Sequence, residues 1–164
     1  MTPYASVGKE PAYSIKIKTF RVTENVPALG TPYQYNMANP HEAAVVAHGV
    51  WNAAFDLDRE SIAVFTCNGR NDLTGFRAWH GTIDFSTVYP REILEACLRL
   101  SASGFVVVHN HPSGDTMPSQ ADINITEHLQ TAARCLGLRF LDHLIIDVSN
   151  VENVYSFRSN GLLT

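Results

Sequence analysis

Two histidines one residue apart, His109 and His111, follow the apolar run FVVV in a chain of 164 residues. On a strand, side chains two apart share a face with origins roughly 6.6 Å apart, so the two imidazoles can converge on one atom. Imidazole is the commonest metal ligand, and a catalytic zinc takes three protein ligands and keeps a position for water. Asp122 is the candidate third ligand. Pro112 and Gly114 turn the chain after the strand, and Ser119 opens a helix whose first turn contains Asp122. Singly, each residue has a plainer reading: strand-end histidines as surface or satisfied core groups, Asp122 as a first-turn carboxylate, Ser119 as an N-cap. Those readings do not require the joint spacing of His-x-His, seven residues, then Ser-x-x-Asp.

The elements that must position these residues follow from pattern. YSIKIK alternates Ile15 and Ile17 with Lys16 and Lys18, the period of a strand with one wet face, and such an edge can also pair between chains. Residues 1 to 12 read as a loose lead-in, and VPALGTPYQYN breaks the strand pattern. Asn39-Pro40-His41-Glu42 supplies a cap, a first-position proline and a capping-box glutamate for a helix over about 40 to 55. SIAVFTC is a strand closed by the hairpin signal Asn68-Gly69, with a second strand running through RAWHGTIDF. Pro90 opens a helix with Ile93, Leu94, Leu98 and Leu100 near helical spacing and Gly104 as its stop. After the strand FVVVHNH, a helix from Pro118 to Gly137 leads to the strand LRFLDHLIIDV, apolar on both faces at its end, and a final strand VYSFRS. Strands and helices in this order predict an α/β sandwich with a mixed sheet.

His109-x-His111-x7-Ser119-x-x-Asp122 matches the motif of the JAB/MPN metalloproteases, also called JAMM. The string HNHPSGDTMPSQADINIT, with GTIDFSTVYPREI upstream and LDHLIIDV and YSF downstream, resembles the RadC branch of that family over roughly residues 40 to 160. The resemblance implies a three-layer α/β/α sandwich with a mixed β-sheet, the cytidine-deaminase-like (JAB/MPN) fold, in residues 39–164, preceded by an N-terminal extension over 1–38. It implies zinc held by His109, His111 and Asp122. It further implies an upstream glutamate that handles the proton of the zinc-bound water, and a role for Ser119 in stabilising the transition state.

Glu42, Glu60, Glu92 and Glu95 are the upstream candidates. Glu42 is explained by its capping box, and Glu92 and Glu95 by the first turns of a helix, where acidic residues are favoured anyway. Glu60 has no such explanation. By resemblance, DRESIAVFTCNGR aligns with the segment whose glutamate opens the first sheet strand, so Glu60 is the expected proton carrier and Glu92 the second choice. Ser113 is expected to serve the turn, His80 and His143 to be hydrogen-bonded structural groups outside the ligand set, and Trp51 and Trp79 to be packing residues.

Composition narrows the partners. Twelve Lys and Arg against 16 Asp and Glu leave a net charge of -4, which disfavours non-specific nucleic-acid binding. Cys67, Cys97 and Cys135 form no CxxC pair, so neither a disulfide framework nor a thiolate zinc site is indicated, and a reducing, cytoplasmic setting is expected with no membrane span. The adjacent letters H-N-H share only spelling with nucleases whose histidines are spread over a ββα unit. Zinc deaminases need H-x-E and P-C-x-x-C, which this chain lacks, and amidohydrolase-type barrels need about 250 residues. The expected function is a zinc-dependent metallopeptidase or isopeptidase acting on a protein or peptide, with a ubiquitin-like tail as one substrate candidate. The alternative is a DNA-repair-associated RadC-type accessory factor or zinc-dependent nuclease. Against it, the first 38 residues are short and Pro-containing for the helix-hairpin-helix region often found ahead of this domain.

Overall fold

The computed structural model describes residues 16–21, 35–55, 57, 59–80 and 90–164. The expectations for the lead-in over 1 to 12, for most of VPALGTPYQYN and for GTIDF therefore lie outside the described residues. In chain order the elements are β1 (Lys16–Arg21), α1 (Pro40–Ala54), β2 (Ser61–Cys67), β3 (Leu73–His80), α2 (Pro90–Arg99), β4 (Gly104–Asn110), α3 (Gln120–Cys135), β5 (Arg139–Asp147) and β6 (Asn150–Ser156). The six strands form one sheet in the order β1-β3-β2-β4-β5-β6. Only the β4–β5 pair is parallel, the sheet being otherwise antiparallel, so it is mixed as expected. β1 lies at one edge, and β5 is interior, between β4 and β6.

Strand alternation sorts the core into two layers. Val106 and Val108 of β4 pack with Ala43, Ala47, Val50 and Trp51 of α1, while Phe105 and Val107 pack with Ile93 and Cys97 of α2 and Ile125 and Leu129 of α3. This is the α/β/α sandwich, with, among the described residues, one helix on one face and two on the other. The central strands β2 and β4 are buried at every position, which is why each carries a continuous apolar run, IAVF and FVVV. Both tryptophans are core residues, Trp51 at 1% and Trp79 at 2% exposure. Among the described residues no helix is long and apolar enough to cross a membrane.

Several boundaries depart from the sequence expectation. The β2–β3 connection is not a two-residue Asn68-Gly69 turn. Cys67 pairs with Leu73, and the loop between them bends at Asn71, with φ of 71°, while the Asn68 side chain accepts from Arg70 and Asp72. Helix α2 ends at Arg99, and Gly104 is the first residue of β4 rather than a helix stop. A Cβ there would lie 3.0 Å from the Arg139 carbonyl oxygen, so close approach of β4 to β5 explains the glycine. Leu98 is 55% exposed, with Ala96 and Cys97 filling the inward face instead. The last strand, β6, starts at Asn150 and stops at Ser156, earlier at both ends than VYSFRS suggests.

Candidate metal centre

His109 is on β4 and, by alternation, faces the α2/α3 layer with Phe105 and Val107. His111 is the first residue beyond the strand. The Gly114 N–H then donates to the His111 carbonyl at 3.0 Å and Gly114 adopts φ of +76°, a left-handed turn that glycine makes without strain. Ser113 serves this turn, its hydroxyl accepting from the Asp115 N–H. The loop is tied down where the Thr116 hydroxyl donates to Asn153, whose amide in turn donates to Asp147. It then delivers Ser119 as the N-cap of α3, with Asp122 completing a capping box.

The result is a tight cluster. His109 Nε2 and His111 Nε2 are 3.1 Å apart. Asp122 Oδ1 is 3.2 Å from the first and Oδ2 is 3.5 Å from the second. His109 and Asp122 are essentially inaccessible, whereas His111 keeps 20% of its side chain exposed and so marks the open side. Glu60, half-buried just ahead of β2, brings a carboxylate oxygen within 4.8 Å of ligand atoms of both histidines. Glu92 belongs to no such group among the described residues.

The donor set fits zinc. With bonds of about 2.0 to 2.1 Å, a tetrahedral zinc has its donor atoms about 3.3 Å apart, close to the 3.1 Å between the imidazole nitrogens and the 3.2 Å from His109 to Asp122 Oδ1, while His111 lies 3.5 Å from the other Asp122 oxygen. The electrostatics agree. The Asp115 carbonyl sits 2.7 Å from His111 Nδ1, and since a carbonyl can only accept, the proton is on Nδ1 and the Nε2 lone pair points at Asp122. Burial alone would raise the Asp122 carboxyl, but the adjoining His109 and His111 rings, which bond to it when protonated, and the hydrogen bonds from Ser119 outweigh it and hold the group well below the ordinary carboxylate range. Bonding to Asp122 raises His111 despite its partial burial, and burial pushes His109 down. An imidazole lone pair and a carboxylate converging in a nearly dry site call for a cation.

Two carboxylates flank the histidine pair: Asp122, with one oxygen 3.2 Å from His109 and the other 3.5 Å from His111, and Glu60, with an oxygen within 4.8 Å of a ring nitrogen of each. Ser119 donates its hydroxyl to Asp122 Oδ2 at 2.7 Å, and its backbone N–H donates to the same oxygen at 2.7 Å. In this state the hydroxyl proton serves the Asp122 carboxylate while the hydroxyl oxygen accepts the Asp122 N–H as the cap, and neither serves an oxyanion.

The remaining contacts were not legible as site features in the sequence. Asn110, between the two histidines, points to the opposite face, where its Oδ1 accepts from Trp51 Nε1 and from the Ser61 N–H, both at 2.9 Å, and its Nδ2 donates to the Arg59 carbonyl at 3.0 Å. It thereby grips the backbone on both sides of Glu60. His143 of β5, expected to be a hydrogen-bonded structural group, does bond, and its partner is His109: Nε2 to Nδ1 at 3.0 Å. Its ring stacks on Phe157 with centroids 4.5 Å apart, and burial pushes it well below the ordinary histidine value. That contact follows from the strand register, which sets His143 beside Val107, two positions before His109 and on the same face of β4.

A family model for the RadC-like JAB domain matches residues 39–162. The chain belongs to that family. This RadC-like JAB domain is 42% identical over 122 residues to a UPF0758 protein of Ruegeria pomeroyi, covering 69% of the chain and 53% of that protein. It is 34% identical over 129 residues to a UPF0758 protein of Staphylococcus epidermidis, covering 77% and 55%. The UPF0758 protein YfjY of Escherichia coli is 39% identical over 108 residues, covering 65% and 66%. The RadC-like JAB domain thus spans about half to two thirds of the length of these curated relatives.

Proposed function

We propose that this chain is a zinc-dependent hydrolase of the metallopeptidase or isopeptidase type, with His109, His111 and Asp122 as ligands and Glu60 as the proton carrier. The observation that supports it best is the cluster itself: two imidazole nitrogens 3.1 Å apart, each 3.2 to 3.5 Å from one oxygen of Asp122, and a second carboxylate, Glu60, within 4.8 Å. When bound, zinc supplies a Lewis acid and lowers the pKa of a coordinated water to about 7. Glu60 takes the proton of the attacking water and returns it to the leaving amine. Ser119 turns its hydroxyl from Asp122 toward the tetrahedral oxygen, and the second capping bond, from the Ser119 N–H, keeps Asp122 in place meanwhile. The net charge of -4 supports a protein or peptide substrate over a polyanion.

The test is a panel of ubiquitin-like fusions, unrelated peptides and single- and double-stranded DNA, each incubated with zinc-loaded protein and with Glu60→Gln. Amide cleavage by the wild type that disappears in Glu60→Gln, with zinc retained, is the expected result. Cleavage of DNA alone would replace the peptidase with a nuclease, and normal turnover by Glu60→Gln would move the proton-carrying role to Glu92.

A further inference from the structure

The Thr126 hydroxyl, on α3 and 1% exposed, lies 2.6 Å from the backbone carbonyl of Asp122 and 2.7 Å from His143 Nδ1. A carbonyl oxygen only accepts, so the single hydroxyl proton of Thr126 goes to Asp122 O. The threonine oxygen is then left to accept, and the proton of the His143–Thr126 bond must sit on His143 Nδ1. In neutral His143, Nε2 is consequently the bare nitrogen, and it accepts across the 3.0 Å contact from His109 Nδ1–H. That leaves His109 Nε2, the atom facing His111 and Asp122, without a proton.

We propose that His143 and Thr126 are positioning residues that keep the proton of His109 on Nδ1, so that Nε2 is held bare and aimed at the metal. Each link runs in one direction because the chain ends on a carbonyl. The same carbonyl belongs to Asp122, so a single backbone group orders both the carboxylate ligand, through its place in α3, and the imidazole ligand on β4. His111 reaches the same proton arrangement by a shorter route, its Nδ1 donating directly to the Asp115 carbonyl. His109, buried inside the sheet at 0% exposure, uses two side chains to reach a backbone acceptor. Phe157, stacked on His143 with an interplanar angle of 17°, keeps that ring in the plane the relay needs.

This deepens the metal-centre reading and rests on it, yet its first readout needs no metal. Nitrogen NMR of the histidine rings in chelator-treated wild-type protein should show the proton of both His109 and His143 on Nδ1. In Thr126→Val, which keeps the shape but not the acceptor, His143 should lose its single tautomer, His109 should gain Nε2-protonated population, and zinc affinity should fall roughly 10- to 100-fold. Thr126→Ser should restore both readouts. A metal-free wild type with the His109 proton on Nε2, or Thr126→Val with unchanged tautomers and zinc affinity, would overturn the relay. If instead the tautomers are as stated and the protein binds no zinc, the relay stands and the hydrolase assignment falls.

Discussion

Asn110 Oδ1 accepts the backbone N–H of Ser61 at 2.9 Å, joining the residue between the two site histidines to the residue next to Glu60. The same amide donates to Arg59 O, so the histidine strand and the candidate proton carrier are held in one register by a single buried side chain. Asn110→Ala should remove three hydrogen bonds and leave the Trp51, Ser61 and Arg59 groups unsatisfied, for a loss of roughly 2–4 kcal/mol in urea unfolding. Zinc binding should persist while hydrolysis falls, because the ligands stay and Glu60 is loosened. Unchanged stability would show that water replaces the amide at no cost.

Asp122→Asn separates the ligand from the cap. Ser119 remains the N-cap, and an asparagine side-chain oxygen at 122 can still accept the Ser119 N–H, so α3 should still start at Gln120, with circular dichroism unchanged. Zinc should stabilise the wild type by about 4 kcal/mol when free metal exceeds the dissociation constant about 1,000-fold, and should leave the melting temperature of Asp122→Asn unmoved at the same concentration. A variant that melts later with zinc, as the wild type does, would remove Asp122 from the ligand set.

Zinc affinity should depend on pH with a definite sign. His111 is raised above the ordinary histidine value, chiefly by its bond to Asp122, so on acidification it takes up a proton sooner than a free histidine. Below that raised pKa the metal must displace one proton, and affinity should drop about tenfold per pH unit; above it affinity should level off. Competition with a chelator of known pH dependence, from about pH 8 down to about pH 5, reads the slope. An affinity that stays flat to the ordinary histidine range would mean that His111 carries no extra proton.

The three thiols should divide by burial. Cys67 and Cys97 are both pushed up to about 12 by desolvation, so neither forms an appreciable thiolate near neutrality, while Cys135 is exposed at the end of α3. Labelling of the native protein near pH 8 followed by mass spectrometry should therefore modify Cys135 alone, and denaturation should release the other two. Early labelling of Cys97 would contradict the packing of α2 against the sheet.

How much of this was legible in the sequence depends on how local the responsible contact is. The cap Ser119 and its Asp122 partner are three residues apart, and the two histidines are two apart, so spacing alone reports their geometry. The pairs that complete the site are remote: His109 with His143 are 34 residues apart, and Trp51 with Asn110 are 59. A lone histidine in an apolar strand looks the same whether it fills space or holds a neighbour's proton, and only the parallel β4–β5 register distinguishes the two. Gly104 looks like a helix stop in the sequence for the same reason, since the Arg139 carbonyl that requires it comes from another strand. Leu98 has helical spacing yet is exposed, because the position of the sheet decides which face is inward.

Whether Asp122 or Glu60 completes the ligand set with the two histidines is read by anomalous diffraction at the zinc edge from zinc-soaked crystals. One peak per chain is expected, in contact with His109 Nε2, His111 Nε2 and Asp122, with the Glu60 carboxylate beyond bonding distance. No peak after soaking, or a peak ligated by Glu60 and both histidines with Asp122 engaged only by Ser119, would contradict it.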